Sequence, residues 1–408
     1  MKLTTRYGRM AVLTIGVSVA LTLAGCGGSS DAGDSGTADV DLGTVNKATG
    51  APVKVGFIGD AEAGSGALGN AIAAAEASTE YANEYLGGLG GNKIELVTCS
   101  TEATPATATA CAVKLAKAGV VAVTTGVTGQ DHAIFEALKG TGVPFIVSLT
   151  ADAEIMGSPT GFVFQNPLAI ATASAALIKK NGAKTGGFIV VDAPAATGPV
   201  EALTKPLFKA QGLGFEMVPL SLQVADPTSA IQQSINNGSD AFTILGDNAF
   251  VTRAIKSLNQ LGFTGPMITN ISAFQKDQID SLPNGLKGVT TMSSITRIPE
   301  REGLSEFATI MKKFGKDIDT GADSGQVAYQ TFLGFVESVN LTPGAGTSAK
   351  DVIAAMKHMP KAVPMRLAPG LTLNCDGKAV AVLQGVCNAR TIAATLNAKG
   401  FATTEALL

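Results

Sequence analysis

Three glycines, Gly64, Gly66 and Gly69, follow an apolar run and precede an alanine-rich segment in the spacing G-x-G-x-x-G. This spacing is typical of loops that bind the diphosphate of a dinucleotide. Such a site needs its first glycine directly after a strand and an acidic residue about 20 residues further on. Here residues 60–63 separate the apolar run VKVGFIG (53–59) from Gly64, and the next apolar segment ends without an acid. We therefore expect no nucleotide cofactor.

Five cysteines could support redox chemistry, metal binding or disulfides: Cys26, Cys99, Cys111, Cys375 and Cys387. The last four form two local pairs with eleven residues inside each pair. In an exported protein this pattern predicts the disulfides Cys99–Cys111 and Cys375–Cys387. The alternative is a metal site made of four cysteines. It is less consistent with the sequence, because no pair has C-x-x-C spacing and no histidine lies near them.

Catalytic motifs are absent from the sequence. The two histidines are His132, beside Asp131 in a predicted helix, and His358, at a predicted helix end where a cation suits the helix dipole. Neither a G-x-S-x-G nucleophile loop nor an H-E-x-x-H zinc motif occurs. We predict that the protein is not an enzyme and that it has no catalytic residue, metal or cofactor.

The N-terminus has the features of an export signal. Three cations precede an apolar run at 11–24, which is short for a bilayer span and typical of a signal peptide. The run ends in LAGC, and this ending resembles a bacterial lipoprotein signal, in which the cysteine, here Cys26, becomes the lipidated first residue. We expect loss of residues 1–25 and a lipid anchor in the cell membrane. The alternative is an ordinary secreted protein with an unrelated cysteine.

Residues 26–51 are rich in Gly, Ser, Asp, Thr and Ala and contain no aromatic residue, so we predict a flexible tether. Removal of the signal deletes three cations and no acid, which changes the net charge from −3 to −6. A mildly acidic chain is not expected to bind nucleic acid.

Beyond the tether, apolar strand segments alternate with amphipathic or alanine-rich helices. Continuous apolar strands of this kind indicate a parallel sheet covered by helices on both faces. The alternation is interrupted at 161–167 and then restarts, which predicts two α/β lobes. Near the C-terminus, Asp376–Gly377 lies between two cysteines and predicts the turn of a hairpin.

Several stretches, taken in order, resemble the leucine/isoleucine/valine-binding family, the amino-acid-type solute-binding proteins of ABC importers. They are the segment that ends in GGLGGNKIELV (87–97), GVVAVTTGVTG (119–129), GVPFIVSLTADAEI (142–155), GFVFQNP (161–167) and GLTLNCDGKA (370–379). The last stretch is similar to a terminal hairpin common in actinobacterial lipoprotein members.

The resemblance implies the type I periplasmic binding protein fold: two α/β lobes, each a parallel sheet flanked by helices, joined by three crossovers. It implies a first lobe made of 52–165 and 297–361, and a second lobe made of 166–296 and 362–408. The ligand of such a protein lies in the cleft between the lobes, where the carboxyl ends of the strands meet.

In this family, backbone amides and hydroxyls after the third and fourth strands hold the carboxylate of an amino acid. The matching positions in this sequence are Thr128, Gly129, Leu149, Thr150 and Ala151. A shift of one residue in the alignment would place Asp152 at the cleft instead of Ala151.

The ammonium of an amino acid would be bound in the second lobe, by Asp247 and Asn248 or by Asn270, although Asp247 could equally cap the helix that follows. Leu68 and Thr197 stand where tyrosines are common in the family. The chain has four tyrosines and no tryptophan, so we expect small, aliphatic pocket walls.

The implied function is extracytoplasmic capture of a branched-chain or other small amino acid, or an amide-like solute, by a monomer that delivers it to an ABC permease. One alternative is a ligand-sensing lipoprotein of the same fold that regulates a membrane receptor or kinase. Another is a scaffold that has lost ligand binding.

Overall fold

The structure is a computed structural model that describes residues 40–60, 66–126, 128–271, 274, 276–381 and 383–408, except for the side chains of 66–69 and 195. Within these ranges the chain forms two large sheets covered by helices. No helix in this part of the chain is both long and apolar enough to cross a membrane.

The first sheet has five parallel strands in the spatial order β2-β1-β3-β4-β5. Its strands are β1 (Gly50–Gly59), β2 (Asn92–Ser100), β3 (Val123–Thr125), β4 (Phe145–Val147) and β5 (Gly161–Val163). The central strands are apolar on both sides because helices cover both faces.

The second sheet has seven strands in the order β14-β13-β10-β9-β8-β6-β7, and β13 and β14 are antiparallel to their neighbours. Its strands are β6 (Thr185–Val191), β7 (Gly214–Leu220), β8 (Ala241–Leu245), β9 (Met267–Thr269), β10 (Val289–Ser293), β13 (Ile392–Thr395) and β14 (Glu405–Leu407). A separate small pair consists of β11 (Val363–Pro364) and β12 (Thr372–Leu373).

Helices complete two lobes. The first lobe contains the first sheet with α1 (Gly66–Tyr85), α2 (Pro105–Lys117), α3 (Asp131–Leu138), α4 (Ala153–Gly157), α11 (Glu302–Phe314), α12 (Asp323–Asn340) and α13 (Ala349–Lys357). The second lobe contains the second sheet with α5 (Leu168–Lys180), α6 (Pro194–Pro199), a π-helical turn (Val200–Thr204), α7 (Lys205–Ala210), α8 (Thr228–Asn236), α9 (Asn248–Gln260) and α10 (Lys276–Asp280).

Helix α12 forms the centre of the first lobe. Its sequence is apolar around most of its circumference, and Tyr329, Phe332 and Phe335 are completely buried. A helix of this kind is stable only when neighbours surround it. Here α1 packs along it, and the core cluster around it extends to the segment that carries β11 and β12.

Within the described ranges, the chain crosses between the lobes three times. The first crossover joins β5 to α5, and the second joins β10 to α11. The third crossover lies at 388–391, immediately before β13.

The prediction that the chain enters the second lobe at residue 362 is therefore wrong. About 25 further residues belong to the first lobe before the chain crosses. Leu367, Leu371 and Leu373 belong to the core cluster around α12, and Val386 pairs with Val163 at the edge of the first sheet. The physical reason is that this segment is apolar and buries its leucines against a helix of the first lobe. Only β13 and β14 join the second lobe.

A buried ionic network attaches this same segment to the first lobe. The guanidinium of Arg366 donates to Glu306 Oε1 at 2.6 Å and to Glu337 Oε1 at 2.7 Å, and it lies 5.3 Å from the ring centre of Tyr81. The hydroxyl of Tyr329 also donates to Glu306. A buried carboxylate pair needs such a cation, because loss of the partner leaves charge without solvation.

The predicted hairpin at Asp376–Gly377 is wrong. The β12 strand pairs with β11 rather than with the second cysteine arm. Apart from Val386, which pairs with Val163, the described residues between the cysteines lie in turns, bends and irregular segments. One backbone bond links the arms, from Asn374 N to Cys387 O at 2.8 Å. The disulfide Cys375–Cys387 closes this loop, and Cys99–Cys111 connects β2 to α2, so both predicted pairings are confirmed.

The predicted tether is wrong for residues 40–51. Val40 N donates to Thr309 Oγ1 on α11 at 3.1 Å, and Asn46 N donates to Glu84 O on α1 at 2.9 Å. Strand β1 then begins at Gly50. The segment holds a defined position despite its low hydrophobicity, because its backbone donates hydrogen bonds to α11 and α1. The predicted signal at 1–25, Cys26 and the remaining tether lie outside the described residues.

The glycine-rich stretch 87–91 makes a tight turn between α1 and β2. Gly90 has φ +60°, and a Cβ on it would lie 1.5 Å from the carbonyl oxygen of Ala345. Its N–H donates to Asn340 Oδ1 at 2.7 Å, and Asn340 also bonds the turn at Gly88 O. Gly90 is therefore required by the close approach of the turn to Ala345.

We predict that Gly90→Ala destabilises the fold far more than Gly91→Ala. Both positions have positive φ, which costs an alanine about 1 kcal/mol. A Cβ at Gly90 would meet a backbone oxygen, whereas a Cβ at Gly91 would have no atom of the described residues within 4 Å. Urea unfolding followed by circular dichroism should show a loss of at least about 3 kcal/mol for Gly90→Ala. Equal losses in the two variants would contradict this account of the turn.

Candidate functional site

A cavity of about 680 Å³ lies between the two sheets, at the carboxyl ends of their parallel strands. Loops that follow β3 and β4 form its first-lobe wall, and loops that follow β6, β8 and β9, with α5 and the π-helical turn, form its second-lobe wall. A volume of this size is typical of small-molecule sites. A molecule bound here would touch both lobes at once.

The structure brings most of the predicted site residues together around this cavity. Those that line it are Thr128, Leu149, Thr150, Ala151, Asp247, Asn248 and Asn270. Gly129 and Thr197 do not line it. The Thr197 hydroxyl instead donates to Ala193 O at 3.1 Å, within the α6 segment. Leu68 lies in the first turn of α1, and its side chain is outside the described residues.

Sequence reasoning missed three carboxyl groups and much of the apolar wall. Asp131 and Asp323, the first residues of α3 and α12, both line the cavity, and Asp60 lies directly behind it. The signal for Asp60 was available, because it is a lone acid at the carboxyl end of an apolar strand. That same criterion identified Asp247.

The Asp60 carboxylate is held by donors from two loops, which follow β2 and β3. It is only 7% exposed and accepts hydrogen bonds from Thr101 Oγ1, from Thr128 Oγ1 at 2.9 Å and from Gly129 N at 3.3 Å. These last two donors are the ones predicted to hold the carboxylate of a ligand. They therefore bind a carboxylate of the protein itself.

Asp131 faces the cavity in an acidic environment. Its Oδ1 is buried and has no hydrogen-bond partner among the described residues. Burial raises the pKa of Asp131 to about 7; a hydrogen bond with Thr150 opposes this effect, and the neighbouring charges of Asp60 and Asp152 add to it. Thr150, another predicted donor to a ligand carboxylate, thus also contacts an acid of the protein.

Asp152 caps α4 instead of replacing Ala151 at the cavity. Its Oδ1 accepts from Glu154 N at 2.8 Å and from Ile155 N at 3.2 Å, and its Oδ2 lies 2.7 Å from His132 Nδ1. Although burial opposes the effect, these bonds hold the pKa of Asp152 below its usual value. The free amides at the start of α4 therefore already bind an anion.

The second-lobe wall combines hydrogen-bond acceptors with apolar groups. Asp247 caps α9 by accepting from Phe250 N at 2.8 Å, as its alternative role predicted. Asn270 Oδ1 is buried without a partner in the described part of the chain. The apolar residues are mainly aliphatic, and among the described lining residues Phe188 is the one aromatic. The expected walls are thus aliphatic, but they are not made of small side chains, because leucine, isoleucine and methionine are among the lining residues.

Two large apolar side chains of the cavity are exposed. Leu149 is 36% exposed and Leu203 is 46% exposed, while most large apolar residues of the lobes are buried. Exposed apolar surface inside a concave site is typical of ligand contact. Combined with carboxylate and amide acceptors, it can bind a small molecule that has an apolar body and N–H donors.

Another group of ligand-type side chains lies on the surface near α3. His132, Glu136 and Glu154 are close enough to share a metal ion, but all three are exposed. The ammonium of Lys139 pairs with both glutamates. A cation of the protein thus already compensates this acidic cluster, and we assign no metal to it.

We predict that the wild type becomes less stable as pH rises because Asp131 loses its proton, and that the Asp131→Asn variant lacks this pH dependence. A carboxyl whose pKa moves from 3.8 to about 7 on folding binds its proton more tightly in the folded state. The stabilisation of the folded state by the protonated Asp131 is therefore present at low pH, and it is lost as pH rises towards and through 7. Between pH 5 and pH 8 the wild type should lose about 2 kcal/mol more than Asp131→Asn in urea unfolding.

Asp277→Asn is the matched control, because Asp277 is exposed on α10 and is not among the residues that line the cavity. Its pH profile should follow the wild type. Parallel profiles for the wild type and Asp131→Asn would show that Asp131 does not titrate in this range.

Known proteins share this architecture. A receptor from Verminephrobacter eiseniae described as an extracellular ligand-binding receptor superposes with a TM-score of 0.71 at 16% identity, covering 87% of this chain and 100% of that one. A solute-binding protein of an R. palustris ABC transporter, in complex with 4-hydroxybenzoate, superposes with a TM-score of 0.69 at 18% identity. The match covers 88% of this chain and 97% of that one. LivJ of Streptococcus pneumoniae is a branched-chain amino acid transporter substrate-binding protein in complex with isoleucine. It superposes with a TM-score of 0.67 at 16% identity, and the match covers 88% of this chain and 99% of that one.

At these identities the superpositions establish the fold, which is the type I periplasmic binding protein fold predicted from the sequence. No curated protein matches the chain in sequence. The sequence profile of the periplasmic binding protein family, however, matches residues 52–384, which is most of the chain. The chain therefore belongs to the periplasmic binding protein family.

Proposed function

We propose that the protein is the extracytoplasmic solute-binding subunit of an ABC importer, anchored in the cell membrane by lipid on Cys26, and that it captures a small amino acid or an amide-like solute. The observation that carries this proposal is the cavity between the lobes, to which the strand ends of both sheets contribute. A ligand there would connect two bodies that are otherwise joined by three crossovers.

Ligand binding would favour a closed arrangement of the lobes. A solute that contacts Thr150 on one wall and Asn270 on the other gains both sets of contacts only when the walls approach. A ligand shifts such an equilibrium by its additional affinity for the closed state. The closed protein would then present a distinct surface to a permease, and no catalytic step is part of this proposal.

The solute class is supported by the chemistry of the walls. Acceptors at Asp247 and Asn270 suit an ammonium or amide donor, and Leu149 with Leu203 suits an aliphatic group. Relatives of this fold bind isoleucine in one case and 4-hydroxybenzoate in another, so the fold itself does not select the ligand.

The lipid anchor is supported by the LAGC sequence that follows the apolar run. In cells fed a radioactive fatty acid, the wild-type protein should become labelled and remain in the membrane fraction. Cys26→Ala should lose the label. A labelled Cys26→Ala protein, or an unlabelled wild type, would contradict anchoring at this residue.

Closure can be followed with a single introduced tryptophan, since the chain contains none. Leu203→Trp places the reporter in the cavity, and Leu222→Trp is the matched control on the surface, because the two leucines are 46% and 44% exposed. Suitable probes are leucine, isoleucine, leucinamide, 3-methylbutylamine and 4-hydroxybenzoate.

We expect at least one probe to shift the emission of Leu203→Trp to shorter wavelength and to leave Leu222→Trp unchanged. The same probe at about 100 times its Kd should add about 2.7 kcal/mol to the stability of the wild type. If no probe changes either fluorescence or stability, the proposed capture of a small amino acid or amide is wrong.

A further inference from the structure

Acids of the protein itself hold the donors that a ligand carboxylate would need. Thr128 Oγ1 and Gly129 N donate to Asp60, and Thr150 contacts Asp131. The amides that begin α4, directly after Ala151, donate to Asp152. A carboxylate arriving at this wall would meet negative charge and would find those donors in use.

The cavity has acceptors that lack donors. Asp131 Oδ1 on the first lobe and Asn270 Oδ1 on the second lobe are both buried, and neither has a hydrogen-bond partner in the described ranges. Leaving a buried acceptor unpaired costs free energy that a bound donor would recover. The two atoms belong to opposite walls, so a ligand with N–H groups could satisfy both.

The charged residues among the described lining residues are all acids. Asp131, Asp247 and Asp323 line the cavity, and none of the described lining residues is a lysine, arginine or histidine. Burial, with a smaller contribution from the charges of Asp60 and Asp152, raises the pKa of Asp131 to about 7. An ammonium bound beside it would supply the missing positive charge.

We propose that the cavity selects solutes that carry a protonated amine on an aliphatic body and lack a free carboxylate. This inference rests on the proposed function, and it narrows the solute class from amino acids to amines and amino-acid amides. The amine would donate to Asp131 Oδ1 and Asn270 Oδ1, and the body would contact Leu149 and Leu203.

Isothermal titration of the full-length protein in detergent, at pH 7.5, can compare four molecules with the same aliphatic body. Leucine has both charged groups, leucinamide and 3-methylbutylamine have only the ammonium, and 4-methylpentanoate has only the carboxylate. We expect leucinamide and 3-methylbutylamine to bind at least tenfold more tightly than leucine. We expect no binding of 4-methylpentanoate.

Two variants test which residues cause this selection. Asp131→Asn should weaken binding of leucinamide at least tenfold, whereas the control Asp277→Asn should bind it as the wild type does. Asp60→Ala releases Thr128 and Gly129, and it should reduce the preference for leucinamide over leucine at least tenfold. Circular dichroism must first show that Asp60→Ala folds; if it does not, the Asp131→Asn comparison decides.

The outcomes separate this inference from the function on which it rests. Leucine that binds as tightly as leucinamide, or an Asp131→Asn variant with unchanged affinity, overturns the amine selection and leaves the solute-binding function in place. Binding of 4-hydroxybenzoate alone overturns both the amine selection and the proposed amino-acid or amide class, and it leaves only solute binding in place. If no molecule of the series or of the fluorescence panel binds, both the inference and the proposed function are wrong.

Discussion

The carboxylate of Asp60 is the interaction on which the first-lobe wall of the cavity depends. It receives hydrogen bonds from the loops that follow β2 and β3, while it belongs to the loop that follows β1. Three strand ends are thus held together by one buried charge. Because an isolated buried carboxylate is costly, the donors must stay in place, and the position of Thr128 at the cavity follows from this requirement.

The two walls of the cavity differ in chemistry. The first-lobe wall contains the carboxyl groups of Asp131 and Asp323, whereas the second-lobe wall contains the one carboxyl group of Asp247 together with amide and apolar groups of α5, the π-helical turn and the loop at Asn270. More acid on one side and more apolar contact on the other would orient an asymmetric molecule. The relation between the lobes therefore determines both how tightly a solute is held and which end of it meets which lobe.

Much of the architecture could be predicted from the sequence because it depends on local patterns. Apolar strands alternating with helices indicated the two sheets, and cysteine spacing indicated both disulfides. The placement of residues 363–387 could not be predicted, because an apolar segment can pack against either lobe and the choice depends on contacts with α12, far away in sequence. The hydrogen bonds from Thr128 and Gly129 to Asp60 could not be predicted for the same reason. They join residues that are 68 and 69 positions apart in the sequence.

The loop closed by Cys375 and Cys387 has a mechanical consequence. The second cysteine lies directly before the third crossover, and its backbone bonds to β5 through Val163. The covalent link therefore fixes the point from which the chain leaves the first lobe, so this hinge is limited to residues 388–391. Both disulfides lie within the first lobe, and neither spans the cleft. Formation of the Cys375–Cys387 disulfide thus shortens the flexible crossover, and it leaves the two lobes free to move relative to each other.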